Sequence, residues 1–171
     1  MPTLEDRLRN CTRSAVHLEM RDEYMPSDPR FTAWRNGARN DPADSDPERR
    51  PWLRLVADLV AQGVEVRRAR IVSEPVSDYI RFEHHLTVPT VRAGEQVRWL
   101  PRRRASGLAL PGNDFWLFDG TSVVFHHFAG DGELAPDDEE FTDDPVVVKL
   151  CSDAFESVWR QAVPHADYTL A

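Results

Sequence analysis

The segment Asp114–Phe128, DFWLFDGTSVVFHHF, limits the possible folds of this chain more than any other stretch. Two apolar runs flank Asp119-Gly120, a dipeptide suited to the positive φ angles of a tight hairpin turn. Phe, Trp, Leu and Phe fill four of the first six positions, so neither face of the first strand is fully polar. The pattern predicts a hairpin buried in a sheet, with a carboxylate at each end of its first strand. Asp114 and Asp119 have an odd spacing, which points them to opposite faces of a straight strand. Acid–base chemistry needs both carboxylates at one site, so the two are read as turn acceptors rather than a catalytic dyad. His126-His127 alternate in the same way and cannot share one metal ion without a bulge.

Helical and strand periodicity extends this start into an α/β pattern. Ser14–Tyr24 alternates, with Val16, Leu18 and Met20 on one side and His17, Glu19 and Arg21 on the other, as a half-exposed strand does. Asp28-Pro29 reads as an N-cap followed by proline at the first helical position, and the short helix offers Phe31 and Trp34 to a partner surface. Arg39–Arg50 is a polar, solvated loop. From Pro51, the residues Trp52, Leu55, Val56, Leu59 and Val60 recur at helical spacing, and Gly63 stands where a left-handed C-terminal cap belongs.

Val64–Val72 is a strand rich in β-branched residues. Pro75 is expected to open a second helix carrying Val76, Tyr79, Ile80 and Glu83, with His84-His85 near its end. Gln96–Leu100 is a strand stopped by Pro101, and Gly130-Asp131-Gly132 ends the hairpin. Asp144-Pro145 starts a last helix, expected to turn Val146, Leu150, Ala154, Val158 and Trp159 to the core. The fold class is therefore α/β, a mixed sheet with helices packed on it and a C-terminal helix. Residues 1–50 are expected to supply a strand, a short helix and a polar loop that pack on a main domain of residues 51–171.

Charge narrows the functional classes. The chain of 171 residues has a net charge of −8. Asp131–Asp144 holds eight acids and no base, and is expected to be a mobile, solubilising insert or a docking segment for a basic partner. Lys149 is the single lysine among 21 basic residues, a bias that reads as GC-rich codon usage. The acidic balance disfavours nucleic acid as a partner. No apolar run approaches the roughly 20 residues that cross a bilayer, and the N-terminus lacks a secretory pattern, so no membrane role and a cytoplasmic location are expected. Cys11 and Cys151 are far apart and read as free thiols. No cofactor is implied, and no cluster has the three or four convergent ligands of a zinc site.

Arg68 and Arg70 share one face of their strand. A buried guanidinium needs an answering carboxylate, and Glu74, Glu83, Asp114 and Asp119 are the nearest by this layout. The bland outcome is a structural ion-pair network. The sharper one is a small anionic ligand held by Arg68, Arg70 and Arg81 with Tyr79. Arg102-Arg103-Arg104 has no interleaved aromatic for stacking nucleic acid.

Four phrases together, RIVSEPVSDYIRFE (70–83), AGEQVRWLPR (93–102), DFWLFD (114–119) and FESVWRQAVP (155–164), resemble an actinobacterial domain-of-unknown-function family, DUF family 6879. The resemblance runs from Ser14 onward. It implies proximity to small helix-turn-helix regulators but no established activity. More distantly, the order of helices, strands and hairpin is similar to one half of a phospholipase D-like domain. Active members carry H-x-K-x-x-x-x-D on the first hairpin strand, the histidine as nucleophile and the lysine holding phosphate. With the motif's aspartate on Asp119, Gly112 takes the histidine position and Asp114 the lysine position. The resemblance thus implies an inactive phosphodiesterase.

The leading expectation is a non-enzymatic accessory or regulatory protein, acting through a protein partner such as a helix-turn-helix regulator or through a small anionic ligand. The alternatives are an enzyme with a relocated site at Arg68, Arg70, Glu74, Tyr79 and Asp119, and DNA binding through Arg98 and Arg102–Arg104.

Overall fold

The computed structural model describes residues 2–39 and 50–171; the polar loop expected between Arg39 and Arg50 falls on 40–49, outside the described residues. Helix α1 (Leu4–Arg9) leads into strand β1 (Ser14–Glu19) and helices α2 (Pro29–Arg35) and α3 (Pro51–Ala61). Strand β2 (Glu65–Val72), helix α4 (Asp78–Arg92) and strand β3 (Gln96–Pro101) follow. The hairpin is β4 (Asp114–Phe118) and β5 (Ser122–Phe128), then come β6 (Leu134–Thr142), α5 (Pro145–Gln161) and the two-residue β7 (Val163–Pro164). The strands form one sheet in the order β6-β5-β4-β1-β2-β3-β7. β1, β2 and β3 are parallel neighbours, and the other pairings are antiparallel. No helix among the described residues is long and apolar enough to cross a membrane.

Local sequence chemistry accounts for most boundaries. Asp119 and Gly120 both have positive φ, 50° and 69°, and Thr121 N–H donates to the Phe118 carbonyl at 2.9 Å, closing the hairpin. Asp28 caps α2 through Arg30 N–H, and Asp144 caps α5 through Val146 N–H. Gly63 ends α3 at φ 86°. All five residues of β4 are buried, as the apolar run predicts.

Several expectations are corrected. α4 begins three residues after Pro75, because the Ser77 hydroxyl caps it by accepting from Ile80 N–H, and His84-His85 therefore lie inside the helix. β1 stops at Glu19 rather than Tyr24. The acidic stretch is not a mobile insert: β6 pairs with β5 across Val123–His126, and Glu140 meets His127 at 3.0 Å. On α5 the core face is Val148, Cys151, Ala154, Phe155, Val158 and Trp159, whereas Val146 and Leu150 are 76% and 42% exposed. The surface that receives Phe31 and Trp34 is Phe82 of α4. Finally, β1 lies between β4 and β2, so the first fifty residues contribute a central strand rather than an appendage to a sheet complete in 51–171.

The sheet is covered on both faces. α5 lies over Val16, Leu18, Ala69, Ile71, Phe115 and Leu117. The opposite face carries two separate clusters. One joins Leu8, Leu55 and Leu59 to Val66, Trp116 and Phe118, and the other joins Phe31, Tyr79 and Phe82 to Val97 and Trp99. The gap between those clusters holds the candidate site.

Candidate functional site

Strand alternation puts His17 and Glu19 of β1, Arg68 and Arg70 of β2, Asp114 and Trp116 of β4, and His126 of β5 on this gapped face. Register aligns them: His17 pairs with Arg68 and with Trp116, Glu19 with Arg70, and Asp114 with His126. They form the floor of a cavity of about 580 Å³. Trp52 and Leu4 border it on the α1/α3 side, Tyr79, Glu83 and Leu86 on the α4 side, and Asp138 and Glu139 of β6 at the rim. A second cavity of about 240 Å³ shares Asp114, His126 and Phe128 with the first.

The charged floor is an alternating chain of guanidinium and carboxylate groups. Arg68 Nε donates to Glu95 at 2.6 Å and its Nη1 to Glu19 Oε1 at 3.0 Å. Arg70 Nη1 lies 2.6 Å from Glu19 Oε2, and its Nη2 donates to Glu83 Oε2 at 2.8 Å. The Arg70–Glu19 contact is close enough for charge attraction but lacks hydrogen-bond alignment, so Glu19 Oε2 keeps an unfilled acceptor. Tyr79 donates to Glu83 Oε1 at 2.7 Å, and Trp52 Nε1 to Glu95 at 3.3 Å. Burial works against both cations, yet Glu95 and Glu19 hold Arg68, and Glu19 and Glu83 hold Arg70, above the ordinary guanidinium value. Burial, followed by Glu83, pushes the Tyr79 hydroxyl up. The Arg68 guanidinium also lies 5.6 Å from the ring centres of Trp52 and Trp116.

His17 stacks on Trp116 with ring centres 4.2 Å apart. Burial first, then Arg68, His126 and Arg70, hold its pKa well below the usual imidazole value. It is therefore neutral, and its Nδ1 has no hydrogen-bond partner, standing 3.6 Å from Glu19. Asp114 accepts from Met20 N–H at 2.9 Å and from the Tyr24 hydroxyl in a very short contact. Burial raises its pKa to about 6.

That raised value has a stability consequence. Asp114 ionises near 3.9 in the unfolded chain, so between about pH 4 and pH 6 the folded state binds the extra proton. Its contribution to stability is greatest below that window and falls as pH rises through it, by about 2–3 kcal/mol. Asp114→Asn removes this slope. Denaturant midpoints at low and neutral pH should show the variant gaining on the wild type as pH rises. A constant difference at both ends would place the titration elsewhere.

The sequence-derived set is thus partly assembled. Arg68, Arg70, Tyr79 and Asp114 line the main cavity; Glu74, Arg81 and Asp119 do not. Glu74 accepts from Tyr168 at 2.9 Å. Asp119 binds the chain entering β1: Thr12, Arg13 and Ser14 N–H and the Thr12 hydroxyl all donate to its carboxylate. The relocated enzyme site built on Glu74 and Asp119 is therefore not assembled. Glu83 is the one expected partner that answers an arginine; Glu19 and Glu95 supply the rest. His17, Glu19, Glu95, Trp116 and His126 were not among the expected site residues. For His17 and Glu19 the signal was the polar face of the Ser14–Tyr24 alternation, which requires the strand order before it becomes a site. Among the described residues no group of three His, Cys, Asp or Glu side chains is gathered as a metal requires.

The DNA-binding alternative loses two of its arginines to internal bonds. Arg98 donates to the Trp159 carbonyl, and Arg102 donates to Ser73 and to the Met20 and Ile71 carbonyls.

Residues 2–170 match the model of a domain of unknown function (DUF6879). In fold, the chain is similar to Nuc, a phospholipase D family member from Salmonella typhimurium. The TM-score is 0.52 at 9% identity, covering 94% of this chain and 86% of Nuc. At that identity the likeness establishes the phospholipase D-like fold alone. TrmBL2, an archaeal chromatin protein, gives a TM-score of 0.48 at 12% identity, over 92% of this chain and 47% of that one. No curated protein matches the sequence.

Proposed function

Since the chain belongs to the DUF6879 family, whose function is unknown, we propose from its site that it is a non-enzymatic regulatory module that binds a small polar molecule. The carrying observation is the open cavity of about 580 Å³, set over a floor of paired arginines and carboxylates. Pockets of this size with aromatic walls and a few convergent polar groups are the usual form of a ligand site. The sole lysine, Lys149, is on the exposed side of α5, paired with Asp153 at 2.6 Å, and no histidine in the sequence is followed two residues later by lysine. Phosphodiester chemistry of the H-x-K type therefore has no residues to work with.

Pairing also turns the reading away from the small anion expected from the arginines. Two guanidinium groups face Glu19, Glu83 and Glu95, so an entering phosphate meets a floor that is net negative. Signalling through a helix-turn-helix regulator, a cytoplasmic setting and an actinobacterial source belong to the same proposal. The free buried thiols of Cys11 and Cys151 and the arginine-for-lysine bias support the last two.

Thermal shifts with a panel of amines, nucleosides and phosphorylated metabolites test the central reading. At least one compound should raise Tm in the wild type, and Leu86→Trp, which fills the α4 wall, should abolish the shift. A uniform lack of response would remove it. Titration with the purified neighbouring regulator tests the partner role separately.

A further inference from the structure

We infer that the ligand of the main cavity is a small organic cation, a protonated or quaternary amine with an apolar body. This rests on the ligand-binding reading above and assigns its chemical class.

Charge is the first argument. The three carboxylates already exceed the two guanidinium groups they hold. Asp114 adds to the floor, and Asp138 and Glu139 add to the rim from β6. Two further arginines line the mouth, Arg30, engaged by Asp28 at 3.4 Å, and Arg50. The excess is negative and lies in a partly enclosed, low-dielectric space, where it acts more strongly than on an open surface.

Acceptor capacity is the second. Glu19 Oε1 and each oxygen of Glu83 meet one donor, and an ionised carboxylate accommodates about four. Glu19 is nine-tenths buried and its Oε2 has no aligned donor. His17 is equally buried, and its neutral ring leaves Nδ1 unpartnered beside it. An unfilled carboxylate acceptor at the base of a cavity calls for a ligand that brings N–H groups.

The wall supplies the third. Tyr24 lies 5.2 Å from Phe128 and 5.7 Å from Tyr79, in tilted or edge-on arrangements. Asp114 accepts from the Tyr24 hydroxyl and Glu83 from the Tyr79 hydroxyl, so a carboxylate stands beside each ring. Aromatic rings beside carboxylates favour a cation through ring quadrupole and charge together. Across the cavity, Trp52 and Trp116 already hold such a group in the Arg68 guanidinium.

Calorimetric titration with choline and tyramine, against adenosine, AMP and inorganic phosphate, decides the assignment. One of the two amines should bind at least about tenfold more tightly than AMP or phosphate, and raising salt should weaken it as the charged contacts are screened. Glu83→Gln should weaken the amine about tenfold by deleting a charged acceptor. Asp138→Asn, at the rim and outside the buried network, should weaken it less while leaving Tm unchanged. Tighter binding of adenosine, AMP or phosphate than of either amine would overturn the cation assignment and leave the pocket reading in place. Failure of all five probes, with Leu86→Trp indistinguishable from wild type across the wider panel, would remove both.

Discussion

Glu19→Gln should lower stability by about 3–5 kcal/mol, the range for leaving a buried ion pair without one partner. Among the described residues, Glu19 is the one carboxylate that touches both arginines, at 3.0 Å from Arg68 and 2.6 Å from Arg70. The side chains involved are 6–13% exposed, so water cannot replace the lost charge. Glu95 and Glu83 would remain, each with one arginine, but the two guanidinium groups would face each other across an amide. Glu5→Gln is the internal comparison. It deletes an exposed Arg9 partner at 2.8 Å and should change stability by less than about 0.5 kcal/mol. Urea denaturation of both variants gives the contrast, and a Glu19 loss no larger than the Glu5 loss would mean that the network is not desolvated.

A second large effect is expected at Asp119, where alanine should cost about 2–3 kcal/mol. Its carboxylate collects the N–H groups of Thr12, Arg13 and Ser14 and the Thr12 hydroxyl, fastening the hairpin turn to the start of β1. Desolvation pushes the carboxyl up, but those donors, Ser14 first, outweigh it and hold the pKa below the usual range. Charge-assisted bonds to backbone N–H groups are individually worth about 1.5–3 kcal/mol, reduced here because the group is half-exposed. Alanine is also a poorer residue than aspartate at φ 50°. Asp119→Asn keeps the turn conformation and one acceptor oxygen, so it should lose roughly half as much. Wild-type stability of the asparagine variant, with loss in the alanine variant alone, would mean that the turn backbone, and not the carboxylate, makes the connection.

Asp119 shows how far local chemistry reaches. Asp119-Gly120 was legible as a hairpin because positive φ restricts which residues fit. The caps at Asp28 and Asp144 were legible because a short polar side chain before proline has few other roles. Misreadings occurred where tertiary contacts overrode local pattern. β6 carries Asp137–Glu140 in one run and shows no alternation, yet its backbone completes the edge of β5, with Arg7 over Phe141 at 4.1 Å. At the start of α5, Val146 and Leu150 share a helical stripe, but the sheet underneath selects the stripe of Val148, Cys151 and Phe155.

The candidate site divides along the same line. Period-two alternation by itself determined that His17 and Glu19 share a face, that Arg68 and Arg70 share a face, and that Asp114 and Asp119 do not. Such pairings follow from strand geometry and need no partner. Only the tertiary structure decided that β1 stands between β4 and β2, which brings the carboxylate of one strand onto the guanidinium groups of the next. It also decided that two helical clusters stop short of each other and leave that polar face open as a cavity. The physical reason is range. Side-chain alternation is set within two residues, whereas Glu19, Arg68, Glu83 and Glu95 come from four distant positions. What joins them is the desolvation of charge, which acts only once the sheet has assembled.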